Sequence, residues 1–189
     1  MYKKIILASA ILASTVGIAA ANPAPYVGAS VGVTNNYLNA NVNSTNFNFA
    51  GYRGVPFSLL AGYGGVVSQS FYLAGELAAT LGTAELSGNN GLKTTYGASV
   101  SMLPGVMVND STLAFARVGA VRSHFSGNTN RNGAIFGLGL QTSLTQNVDV
   151  RGEYDFVAYR SITGTTAGTA FTISPRADQA TVALIYKID

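Results

Sequence analysis

The chain has 189 residues, 10% of them charged and 48% hydrophobic, with 22 glycines, 10 tyrosines and no cysteine. That length allows one domain plus a processed segment, the missing cysteine excludes disulfides and thiolate metal sites, and so low a charged fraction, against about 25% in soluble domains, points to a membrane. The formal charge of +3 falls to +1 once Lys3 and Lys4 are assigned to an export signal, so neither a nucleic-acid nor an anionic-lipid partner is indicated.

At the N-terminus, Lys3 and Lys4 precede an apolar stretch from Ile5 to Ile18 and the small residues Ala19, Ala20 and Ala21. This is the layout of a secretory signal peptide. Cleavage is expected between Ala21 and Asn22, which divides the chain into a signal, 1–21, and a single domain, 22–189. Past the signal no apolar run approaches the roughly 18 residues of a membrane-spanning helix. Since only helices and closed barrels satisfy their backbone hydrogen bonds in lipid, a barrel is expected.

Alternation with a period of two then predicts eight strands, at roughly 25–38, 54–64, 70–84, 93–108, 111–125, 132–144, 147–161 and 176–188. In the first, Val27, Ala29, Val31 and Val33 oppose Gly28, Ser30, Gly32 and Thr34. The sixth sets Ala134, Phe136, Leu138, Leu140 and Leu144 against Gly133, Gly137, Gly139, Gln141 and Ser143. The last sets Ala180, Val182, Leu184, Tyr186 and Ile188 against Gln179, Thr181, Ala183, Ile185 and Lys187. The fold class expected is therefore all-β, a membrane-spanning eight-stranded antiparallel up-and-down barrel. Gly65–Gln69, Pro104–Asp110 and Thr145–Asn147 are short and suit periplasmic turns. The connections Asn35–Arg53, Ala84–Leu92, Ser123–Arg131 and Arg160–Pro175 are mostly longer and polar, as extracellular loops are. Tyr26, Tyr63, Tyr154, Tyr159 and Tyr186 read as interfacial girdle residues. There is no internal repeat beyond the hairpin rhythm, and no further domain is expected after Asp189.

Four charged residues fall inside the wall rather than in loops: Glu76, Arg117, Arg151 and Glu153. Alternation turns all four inward, and counting from the strand starts puts them on the order of 10–15 Å above the inner rim. An eight-stranded barrel is only wide enough for side chains to fill it, and buried charges are tolerated when paired. The expectation is a neutral structural cluster that plugs the lumen, with Gly133, Gly137 and Gly139 leaving room for it.

Other chemistry is weakly indicated. Glu76 and Glu153 as a glycosidase pair would need a cleft that admits sugar. The only histidine, His124, has Ser123, Ser126 and Asp110 within reach in sequence, but its place beside a Ser/Gly/Asn loop suits a solvated ring. Gly137-Leu138-Gly139 lacks the third glycine and the helix of a dinucleotide fingerprint. With one histidine and dispersed aspartates no metal site is expected, and no catalytic or cofactor-binding residue is assigned.

Five segments, in order and spacing, carry a resemblance: Tyr26-Val27-Gly28-Ala29-Ser30, Leu103-Pro104-Gly105 at an expected turn, Ala116-Arg117-Val118-Gly119, Arg151-Gly152-Glu153-Tyr154, and Val182 through Ile188. The chain resembles the small outer-membrane barrels related to opacity proteins and to the transmembrane domain of outer membrane protein A. The resemblance implies passage through the periplasm of a Gram-negative bacterium and residence in its outer membrane. Its implied partners are membrane lipid, lipopolysaccharide and the barrel-assembly machinery. Tyr186 and Ile188 would form the C-terminal assembly signal, Ile188 standing where the family usually has Phe and Asp189 following it. The expected function is non-enzymatic: polar loops displayed for adhesion to a host-cell or matrix ligand, or for contact within the envelope. The alternatives are a small pore or solute transporter and, with less support, a soluble ligand-binding barrel.

Overall fold

The structure is a computed structural model, and it describes residues 23–42, 45–88, 93–126, 128–166 and 169–188. The expected cleavage site at Ala21 and Asn22 lies outside these residues. The strands are β1 (Ala24–Val42), β2 (Thr45–Ser68), β3 (Phe71–Gly88), β4 (Thr94–Asn109), β5 (Thr112–Phe125), β6 (Thr129–Ser143), β7 (Val148–Tyr159), β8 (Ile162–Thr166) and β9 (Thr169–Lys187). Each pairs antiparallel with its neighbour, and β9 pairs with both β7 and β1, closing an eight-stranded barrel. The short β8 pairs only with the outer part of β9.

Closure follows from the alternation. One residue parity of each strand meets lipid and the other meets the lumen. On β6, Leu138 is 70% exposed and Phe136 and Leu140 are also exposed, while Ile135 and Gln141 on either side of this stretch are buried. The lipid-facing band on this strand runs from Leu144 to Ala134, and ten residues at about 3.3 Å and a tilt near 40° give a height of roughly 25 Å. Around the barrel the outward parity turns polar at one level. Ala120 gives way to Arg122, Ala134 to Asn132, Ala158 to Arg160, Val33 to Asn35 and Val55 to Arg53. Ala24, Lys187 and the turns at Gln69–Ser70, Asp110–Ser111 and 144–147 share the opposite end, which is therefore periplasmic.

Two expectations about connections are corrected. Asn35–Arg53 and Arg160–Pro175 are not plain loops. β1 and β2 stay paired as far as Val42 and Thr45, β9 pairs with β1 up to Phe171, and β8 folds back on β9. Polar alternation satisfies a sheet in water as well as apolar alternation does in lipid, because the backbone ladder is the same. The outer ends of β8, β9, β1 and β2 thus stand as a sheet on the order of 20 Å beyond the polar level, whereas β3, β5, β6 and β7 stop close to it. Leu103-Pro104-Gly105 is no turn either: it lies inside β4, opposite Ala74, Leu73 and Tyr72. The ladder to β5 is interrupted between Met102–Val118 and Gly105–Phe115, where Pro104 has no N–H to give.

Candidate functional site

The lumen is filled in three layers. Nearest the periplasm is an apolar layer of Tyr26, Leu60, Tyr72, Ala74, Leu103, Leu113, Phe115, Ala183 and Ile185. Toward the outside lies a second, of Phe125, Ile135, Val157, Tyr159 and Ala177. Between them is a layer of ions. Period-two alternation places Arg151 and Glu153 on one face of β7, and the stagger of β3 and β5 brings Glu76 and Arg117 to the same height.

The structure brings Glu76, Arg117, Arg151 and Glu153 together. Each oxygen of Glu76 takes a guanidinium: Oε1 accepts from Arg117 Nη2 at 2.5 Å and Oε2 from Arg151 Nη1 at 2.5 Å. Arg117 grips Glu153 side-on, with Nε donating to Oε1 and Nη2 to Oε2, the latter at 3.0 Å. Its Nη1 reaches Ser101 Oγ at 3.5 Å. Arg151, 1% exposed, donates from Nε to Gln141 Oε1 at 2.9 Å and lies 5.1 Å from the Phe115 ring centre and 5.7 Å from that of Tyr26. Tyr26 in turn donates its hydroxyl to Glu76 Oε2 at 3.0 Å. The forked, planar guanidinium suits this work because two donors can serve one carboxylate while a third reaches elsewhere.

Three further charges that sequence reasoning missed extend the network. Asp155 Oδ1 stands 3.7 Å from Arg117 Nε, Gln141 Nε2 donates to Asp149 Oδ2 at 2.6 Å, and Lys187 Nζ lies 3.0 Å from Asp149 Oδ1. Among the described residues the lumen therefore holds four carboxyl groups (Glu76, Glu153, Asp155, Asp149) against three cations (Arg117, Arg151, Lys187). The signal was available: Asp149, Arg151, Glu153 and Asp155 are one parity of one strand, and only two of the four were assigned inward.

The girdle assignment is corrected for two tyrosines. Tyr63, Tyr154 and Tyr186 face outward, but Tyr26 is 4% exposed within the lower apolar layer, and Tyr159 shares a 3.0 Å hydrogen bond with Ser123 Oγ in the upper one. Both have inward parity, on the same face as Gly28 and Arg151 respectively. The lumen glycines serve other neighbours than expected. A Cβ on Gly139 would run into the Phe115 ring, one on Gly137 into the Asp155 carboxylate, and one on Gly133 into the β7 backbone at Ala158. Tyr186 and Ile188 both point outward near the periplasmic end.

Chemically, this layer is occupied. Both oxygens of Glu76 are bound to guanidinium groups, and the side chain is buried. His124 has the outward parity of β5 and stacks on Tyr96 at 4.5 Å, while Ser123 beside it points inward and Asp110 lies at the opposite end of the barrel. A Ser-His-Asp arrangement is not assembled from them.

The family model of the outer membrane protein β-barrel domain matches residues 6–187. The chain belongs to that family and resides in the outer membrane. None of the curated proteins matches it in sequence. Among solved structures it is similar to the attachment invasion locus protein of Yersinia pestis, at 14% identity over 84% of this chain and 99% of that one, with a TM-score of 0.39. Neisserial surface protein A is similar at 14% identity over 87% and 97%, TM-score 0.44. The protease OmpT of Escherichia coli is similar at 7% identity over 89% and 99%, TM-score 0.48. A shared fold does not fix function, which lives in the sites a fold carries.

Proposed function

We propose that the protein is a non-enzymatic surface protein whose closed barrel mounts a protruding sheet for adhesion or envelope contact. The observation that carries this reading is the filled lumen: an ion layer held between two apolar layers leaves nothing for the barrel interior to transport or transform. What remains accessible is the standing sheet of β8, β9, β1 and β2, rich in Asn, Thr and Ser. The pore alternative would need a continuous polar path; among the described residues the upper lumen holds a cavity of about 40 Å³ near Thr34, Thr83 and Thr94. In this reading residues 1–21 are the export signal removed after Ala21, Glu76, Arg117, Arg151 and Glu153 act as the plug, and the outward Tyr186 and Ile188 are read by the assembly machinery.

The test is to replace residues 38–51 and 162–173 by tight turns. Loop length changes closure entropy slowly, by about 0.6 kcal/mol per doubling, and the membrane-spanning ladders are untouched. The trimmed protein is expected to remain heat-modifiable on unheated SDS gels while binding of the parent to cells or matrix disappears. Full binding by the trimmed barrel would contradict the proposal.

A further inference from the structure

The charges of the ion layer do not cancel. Lys187 answers Asp149 near the periplasmic rim. That leaves Glu76, Glu153 and Asp155 against Arg117 and Arg151, three negative charges to two positive among the described residues. Asp155 holds the surplus. The Arg117 Nε that lies 3.7 Å from Asp155 Oδ1 already donates to Glu153, and Oδ1 is buried with no hydrogen-bond partner among the described residues. A buried charge without compensation is costly, so a further positive charge belongs close to this layer.

The cavity of about 40 Å³ in the upper lumen begins one step further out. Thr34, Thr80, Thr83, Thr94 and Ser99 line it, with Gln179, the cross-strand partner of Asp155. Val157 and Ser99 in its wall are the next inward residues after Asp155 and Ser101. Two residues correspond to on the order of 5 Å along the barrel axis. Thr83 is 7% exposed, its methyl lies over Gly54, and its hydroxyl has no hydrogen-bond partner among the described residues. Thr34 donates to Asn36 Oδ1 at 3.3 Å, and Thr94 accepts from Asn36 Nδ2 at 3.1 Å. A hydroxyl has one hydrogen and two lone pairs, so each of these groups still has oxygen lone pairs to offer. We propose that this cavity binds one monovalent alkali cation, held by hydroxyl and amide oxygens, with Asp155 as its countercharge. Oxygen surroundings suit a hard cation, and a surplus of one carboxylate matches a single positive charge. A water needs about 10–15 Å³ of such space, so the cavity admits the ion with a water or two. The site is independent of what the standing sheet contacts.

The experiment is urea unfolding of the whole membrane-extracted protein, refolded into phosphatidylcholine vesicles in sodium chloride or in choline chloride of equal ionic strength. Choline is too large for the cavity, and the uncharged vesicle surface removes cation effects on the lipid. A ligand held only by the folded state, at ten times its dissociation constant, raises the folded-to-unfolded ratio about tenfold. The ratio is therefore expected to be about tenfold higher in saturating sodium than in choline. D155N is expected to remove the difference, T83V to reduce it severalfold and T83S to retain it. Each variant is checked for heat-modifiability. Should D155N fail to fold, T83V against T83S decides, and should those fail too, the two salts on the parent protein decide. Equal ratios in both salts for the parent, or an unchanged sodium effect in folded D155N or T83V, overturns the proposal. Equal ratios that instead fall together as the pH is raised place a proton on the carboxyl groups and overturn the metal ion.

Discussion

Arg117→Ala is expected to cost about 3–5 kcal/mol, the usual penalty for removing one partner of a buried ion pair, read as a lowered urea midpoint for the barrel folded into lipid vesicles. Arg117 serves both Glu76 and Glu153 and stands nearest to Asp155. When it is lost, Glu76 keeps Arg151 at 2.5 Å, so the orphaned charges are those of Glu153 and Asp155. The double variant R117A/E153Q is therefore expected to recover a clear part of the loss, and R117A/E76Q much less. A single variant as stable as the parent would mean that Arg117 does not face the lumen.

Leu103→Ala is expected to cost about 2–5 kcal/mol by the same measurement, the range for truncating a core leucine. Leu103 is 0% exposed and sits in the lower apolar layer with Tyr72, Leu113 and Phe115. A leucine in a solvated periplasmic turn would give a change within about 0.5 kcal/mol, so this one substitution separates the strand placement of Leu103-Pro104-Gly105 from the turn suggested by its Pro-Gly pair.

That pair shows where the sequence is legible and where it is not. Pro and Gly are punctuation for turns in water, but in a barrel wall Pro104 is accommodated where one ladder is broken, and Gly105 sits under Leu113 and Phe115. Alternation, by contrast, reads reliably on β1, β6 and β9, because lipid on one side and a narrow lumen on the other leave each parity only one acceptable composition. The same logic located Glu76, Arg117, Arg151 and Glu153 at one height, since strand starts and rise per residue suffice for that. Asp149 and Lys187 sit at strand ends, where inward parity alone does not say whether a side chain is in the layer or at the rim, whereas Asp155 is mid-strand and its inward parity is as legible as that of Glu153. The outer hairpins were hidden for another reason. Asn-rich and Thr-rich alternation resembles loop composition, and only cross-strand pairing such as Asn41 with Asn46 and Thr163 with Thr172 makes it a sheet. For Tyr26 and Tyr159, nearness to a strand end suggests the girdle, but inward parity decides and buries both.

In the proposed function the interior is closed, and planar-bilayer recording of the unmodified protein tests this most directly. The filled lumen predicts a flat baseline with no reproducible conductance steps. It also predicts that R117A/E153Q stays silent, because the apolar layers of Leu103 and Phe115 below and of Phe125 and Val157 above remain in place. Steady, reproducible channels from the unmodified protein would contradict the closed lumen and make the barrel a pore.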